Sequence, residues 1–164
     1  MPKVERLDTI PGVGRRTAEG IVAEVGIDMS HFPSAAHLAS WAALCPGNHE
    51  SADKRRSGKT RRGNQWLRTV LIECSLAATR SRDTYLSSLY SRIARRRGGK
   101  KAAVAVAHNI LIAVWHILHD GVPYRELGAS HFDRLNTERL TRHYLRRLEE
   151  LGVKVTVQPI TKAA

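Results

Sequence analysis

The stretch AAVAVAHNILIAVWHILHDG, from Ala102 to Gly121, is apolar on nearly every side of a helix. A helix without a polar face has to be enclosed, so this segment is expected to run through the centre of a domain. His108, Asn109, His116 and His119 interrupt it, and no uninterrupted apolar run reaches the roughly 18 residues that span a bilayer. No signal-peptide pattern opens the chain, so no membrane partner and a cytoplasmic location are expected. Cys45 and Cys74 stand in apolar surroundings and read as reduced core thiols, without the spacing of a structural zinc site. His116 and His119 lie three apart without a third nearby ligand, so no metal is assigned to this chain.

The segments around that helix carry the periodicity of partners for it. Val4 and Leu7 suggest a short first helix, and Ala18, Ile21, Val22 and Val25 share one face of a second, stopped by Gly26. Ser34 opens a third, whose stripe includes Leu38, Ala39, Trp41, Ala42 and Cys45. Asn64 to Arg80 reads as a long helix with Trp66, Leu67, Val70, Leu71, Cys74 and Ala77 on its buried face. Another runs from about Thr84 to Arg97, and a last amphipathic one from Phe132 to Leu151 has its seam at Leu140, Tyr144, Leu148 and Leu151. The alternating VKVTVQ has no second strand to pair with and is expected to be an unpaired tail. The fold class is therefore all-α, with residues 1–127 as one domain and 128–164 as an arginine-rich helix and tail.

One stretch departs from this pattern. Between Gly47 and Gln65 no large apolar side chain occurs, and the run from Pro46 carries Lys54, Arg55, Arg56, Lys59, Arg61, Arg62 and Arg68 against Glu50 and Asp53. A long loop of that composition repels itself unless an anion lies among its cations, and the commonest polyanion is a nucleic-acid backbone. The whole chain agrees: 27 Lys and Arg against 15 Asp and Glu give a net charge of +12. DNA is the expected partner.

A second nucleic-acid signal lies near the start. Ile10-Pro11-Gly12-Val13-Gly14 breaks the chain between two helices, as in a helix-hairpin-helix. In that motif the glycine turn bares the first amides of the second helix to a phosphate, and Arg15 and Arg16 stand where they would add charge. The rival reading is a plain helical hairpin with a glycine turn.

The hairpin, SAAHLASWAALCPG, ESADKRRSGKTRRGNQWLRTVL and KKAAVAVAHNIL follow one another in an order that resembles the C-terminal domain of the insertion sequence one-ten family of transposases. The likeness covers about Leu7 to Tyr124. It implies a serine that joins covalently to DNA, and Ser51 is the matching residue. It also implies a RuvC-like domain holding Mg²⁺ on four carboxylates, a guide RNA, and a homo-oligomer as the active complex. None of that carboxylate set is found in these 164 residues, so the chain is expected to be a truncated frame, a fragment or one part of a split enzyme. Ala52 stands where the family has glycine, which restricts the backbone after the serine.

A serine hydroxyl needs a base, a metal or a strong field to act as a nucleophile. In extended backbone His49 and Ser51 share a side, so His49 is a candidate base, with Arg55, Arg56 and Arg62 to stabilise charge on the phosphate. Ser57 is the rival nucleophile. Two other functions stay open at this level: a non-catalytic helix-hairpin-helix module of repair or junction-binding type, and an assembly module driven by the arginine-rich helix.

Overall fold

The computed structural model describes residues 3–45, 49–51, 54–57, 60 and 62–157, the side chains of 49–51 and 54–57 excepted. It forms two compact units, Met1–Ala129 and Ser130–Ala164.

The first unit is built on α6, Gly99–Asp120. Around it stand α1 (Lys3–Leu7), α3 (Ala35–Trp41), α4 (Gln65–Ala78) and α5 (Tyr85–Arg97), while α2 (Arg15–Val25) packs on α1 and α4. The apolar α6 is enclosed as its composition requires: Val106, Ile110, Leu111 and Val114 have no exposed surface. Truncating Ile110 to Ala would leave a void and cost about 3 kcal/mol. By length and composition alone α6 could cross a bilayer, contrary to the expectation that no segment here is long enough. The rest of the unit packs against it instead, and the Trp115 indole Nε1 donates to the Phe32 carbonyl at 2.9 Å, a contact between residues 83 apart in sequence.

Capping residues set the helix ends. Thr84 accepts from the Ser87 amide at 3.2 Å and starts α5. Gly98, at φ +85°, ends α5 and begins α6, so the two helices turn on one residue. The return segment is tied down by Glu126, whose carboxylate accepts from the Tyr85 and Gly128 amides, each at 2.7 Å. Tyr124 donates its amide to Thr9 Oγ1 at 2.9 Å.

Three expectations need correction. Trp41 and Trp66 occupy the apolar stripes of their helices by spacing, yet they are 44% and 49% exposed, and Ala78 rather than Ala77 is buried on α4. The basic stretch is not a structureless loop: β1 (His49–Ser51) and β2 (Lys54–Ser57) pair within it as an antiparallel ribbon. The final amphipathic segment is two helices, α7 (His131–Leu135) and α8 (Thr137–Glu150), parted at Asn136. The helical class itself holds, with the ribbon the sole sheet among the described residues. No residue of α7 or α8 is buried, and Val153, Val155 and Val157 are exposed outside any strand.

Candidate nucleic-acid interface

The basic segment leaves the helical unit through a narrow neck. Gly63 packs so tightly on Ala42 and Ala43 that a β-carbon there would lie 2.5 Å from that of Ala43. Ala43 itself takes a left-handed φ of +53°, rare for a residue with a side chain. Beyond the neck Asn64 caps α4, its Oδ1 accepting from the Leu67 amide at 2.9 Å, while its Nδ2 donates to Glu24 on α2. The end of the basic segment is thus fastened to two helices at once.

Inside the segment the ribbon register pairs Ser51 with Lys54, Glu50 with Arg55 and His49 with Ser57. Ser51 is therefore the last residue of β1, next to the connection at 52–53, and a cationic residue is its cross-strand partner. The register is irregular between His49 and Glu50. Such a break interrupts the two-residue alternation on which a shared side for His49 and Ser51 depends. By backbone register His49 is the partner of the rival serine. The side chains of His49, Ser51, Lys54, Arg55 and Arg56, and the whole of Lys59 and Arg61, lie outside the described residues. Arg62 is exposed just before the neck, and Arg68 is half-buried in the first turn of α4.

The glycine turn is a separate structure. Ile10 to Val13 closes with the Val13 amide donating to the Ile10 carbonyl at 3.0 Å, with Pro11 and Gly12 at its centre and Gly12 at φ +85°. Pro followed by a positive-φ Gly is the requirement of a type II turn. Buried Ile10 and Val13 pin both ends. The two glycines of the turn differ in their surroundings. Gly12 faces inward against α4, whereas Gly14 is exposed in extended backbone as the N-cap of α2, with open space where a side chain would go. No side chain caps α2. The first amides of a helix have no partner within it, so those of Arg15, Arg16 and Thr17 are open to an anion. Arg15 and Arg16 are both exposed, and Arg15 Nε also meets Glu19 at 3.3 Å.

Between α2 and α4 an open cleft of about 370 Å³ is bordered by Arg16, Thr17, Trp66 and Glu73. The outer edge of the Trp66 ring lies over Gly20, where a β-carbon would come within 2.7 Å of it. Helical spacing assigns Trp66 to the core; the compositional signal against that was Gly20, which leaves the ring a surface to lie on. Cys74 at the base of the cleft stays a thiol, pushed up to about 11 by burial and by the Glu73 charge. It is no nucleophile at neutral pH. Among the described residues no three His, Cys, Asp or Glu side chains converge to hold a metal ion. His116 and His119 both turn their Nδ1 atoms to Asp120, at 3.1 and 2.6 Å.

Residues 4–91 match the model of a family described as Transposase IS116/IS110/IS902. The chain belongs to that family. The matched residues take in the glycine turn, the neck, the ribbon and α4. Among curated relatives, a transposase for insertion sequence element IS1111A from Coxiella burnetii is 35% identical over 125 residues, which is 74% of this chain and 34% of that protein. A pilin gene-inverting protein from Moraxella bovis is 28% identical over 121 residues, 72% of this chain and 37% of its own. An insertion element IS110 protein of 43.6 kDa from Streptomyces coelicolor is 33% identical over 120 residues, 72% of this chain and 29% of its own. The chain thus spans about a third of the length of the transposase-family relatives it matches.

Proposed function

We propose that this chain is the DNA-binding and DNA-joining part of an insertion-sequence transposase, with Ser51 as the residue that becomes linked to DNA. The observation that carries the reading is the backbone register of the ribbon. It sets Ser51 beside the connection and opposite Lys54, inside a segment rich in cations. The serine Oγ would attack the phosphorus of a phosphodiester, forming a Ser–O–P bond and breaking the bond to one strand end. That end leaves as a hydroxyl and takes up a proton. A second strand's hydroxyl would then attack the same phosphorus and release the serine. Both steps exchange one phosphoester for another, so the energy of the bond is kept and no nucleotide is consumed.

Binding comes from other groups. The open amides at the start of α2, with Arg15 and Arg16, suit one backbone phosphate in the manner of a helix-hairpin-helix, with Gly14 giving it room. Lys54, Arg55, Arg56, Lys59, Arg61, Arg62 and Arg68 supply further charge along the strand. In this reading Mg²⁺ is held by the RuvC-like carboxylate domain that the family resemblance implies; among the described residues of this chain no three His, Cys, Asp or Glu side chains converge. Guide RNA and a second copy of the transposase complete the complex in this reading.

The test is reconstitution. The chain is mixed with a RuvC-like partner domain from a related transposase, its guide RNA, Mg²⁺ and labelled DNA. A protein–DNA adduct that survives denaturation is the expected product. Salt-sensitive binding with no adduct in any such mixture leaves a non-catalytic nucleic-acid module.

A further inference from the structure

The second unit carries a charged surface that the proposed reaction does not use. On α8, Arg139, Arg142, His143 and Arg146 recur at the spacing that stacks side chains on one helical face, and all four are exposed. Leu140, Tyr144, Leu148 and Leu151 make the other stripe. At 100° per residue the centres of the two stripes are roughly 145° apart. The four basic side chains border an open groove of their own.

This arrangement is electrostatically unfavourable by itself. Arginines at one-turn spacing repel, and among the described residues carboxylates relieve them at the C-terminal end alone, where Glu150 meets Arg146 at 3.2 Å and Arg147 at 2.6 Å. Among the described residues Arg139 and Arg142 have no ion-pair partner. The stripe from residue 139 to 146 is about 10 Å long, close to the roughly 12 Å width of a DNA major groove.

The geometry points to α8 as a second nucleic-acid contact, in which Arg139, Arg142 and Arg146 bind backbone phosphates of a duplex or folded strand. An arginine-rich face opposite an apolar stripe also suits an anionic bilayer. Nucleic acid is favoured by the chain's net charge of +12 and its membership of a transposase family, and the vesicle arm of the test separates the two. The inference stands whether or not Ser51 is the nucleophile, because it concerns equilibrium binding and not joining.

The test uses the full chain with Arg139, Arg142 and Arg146 all replaced by Gln, a good helix former. A second variant carries Lys at the three positions. Affinity for a labelled 20-base-pair duplex, and separately for an RNA hairpin, is followed by anisotropy across salt concentrations, with helical content checked by circular dichroism. Loss of three phosphate contacts should flatten the slope of log K against log salt by about 2.7 on duplex DNA, and the Lys variant should keep it. Flattening on both probes supports a general backbone contact; flattening on one assigns the surface to that nucleic acid. Slopes unchanged on both in a folded Gln variant overturn the inference. So does a loss seen solely with vesicles containing phosphatidylserine.

Discussion

Gly12 lies against Cys74 so closely that a β-carbon on the glycine would meet the Cys74 carbonyl oxygen and stand 2.6 Å from the next turn's Ala78 amide. The glycine turn is therefore keyed into α4 on its inner side and open on its outer side at Gly14. Substitutions at the two glycines should part company. Gly12→Val combines a left-handed φ with a collision against backbone, and should cost about 3 kcal/mol or more, lowering the thermal midpoint.

Gly14→Val should fold, because its backbone is extended and its side-chain space is empty. Duplex binding should still weaken about tenfold, equivalent to one charge-assisted hydrogen bond of about 1.5 kcal/mol. Circular dichroism and anisotropy on the same samples separate the two effects. Unchanged affinity in a folded Gly14→Val chain leaves a plain helical hairpin.

Asn64 holds the end of the basic segment through its cap on Leu67 and its bond to Glu24. Asn64→Ala removes both and should lower stability by about 1 to 2 kcal/mol in urea titrations. Asn64→Asp keeps the cap acceptor but sets a second carboxylate beside Glu24, so its loss should come from the link to α2. A denaturation curve for Asn64→Ala that overlays the parent would show that the neck is held by packing at Gly63 alone.

Much of this architecture was legible in the sequence, where one physical cause dominates. The all-round apolar α6 had to be central, and Asn64 and Thr84 mark helix starts because their side chains can cap. The ribbon was not legible. HES and KRRS lack the alternation of a half-buried strand, and the intervening Ala52-Asp53 is not one of the glycine-containing pairs that announce a two-residue connection. Trp66 departs from its spacing for another reason: spacing reports which way a helix face points, but not whether a small neighbour such as Gly20 leaves a ring lying across the surface. Likewise Gly12 and Gly14 look equivalent as letters, and packing against α4 alone distinguishes them.

Protonation of His108 should couple to folding. Burial depresses its imidazole pKa below the ordinary 6.5, and its Nδ1 has no hydrogen-bond partner among the described residues. The unfolded chain then binds the proton more readily than the folded one, so stability falls as pH drops below about 6.5 toward the lower folded value. Asp28 and Asp120, with pKa values held below 3.8 by hydrogen bonds from Ser30 and from His119 and His116, act in a lower window. Urea midpoints measured at pH 7.5 and pH 5 should differ for the parent and converge for His108→Gln. Equal pH dependence in both would assign the titration to another group.

Salt dependence separates the proposed binding surfaces. Neutralising Lys54, Arg55, Arg56, Arg61 and Arg62 together, each to Gln, should flatten the duplex slope by about 4 to 5. That change should add to the effect of the α8 substitutions if the two sets of cations neutralise different phosphates, and a double variant whose slope change is less than the sum would show that they share them. A slope that does not move with the ribbon cations would remove the ribbon as a DNA contact.

The measurement that bears most directly on the account is where DNA becomes attached. In the reconstituted mixture with partner domain, guide RNA and Mg²⁺, the denaturation-resistant adduct should map by mass spectrometry to Ser51. Ser51→Ala should abolish it while leaving duplex affinity within twofold and stability within about 0.5 kcal/mol, as for a surface substitution. Ser57→Ala should keep the adduct. An adduct that maps to Ser57, or one that persists in Ser51→Ala, would contradict the assignment.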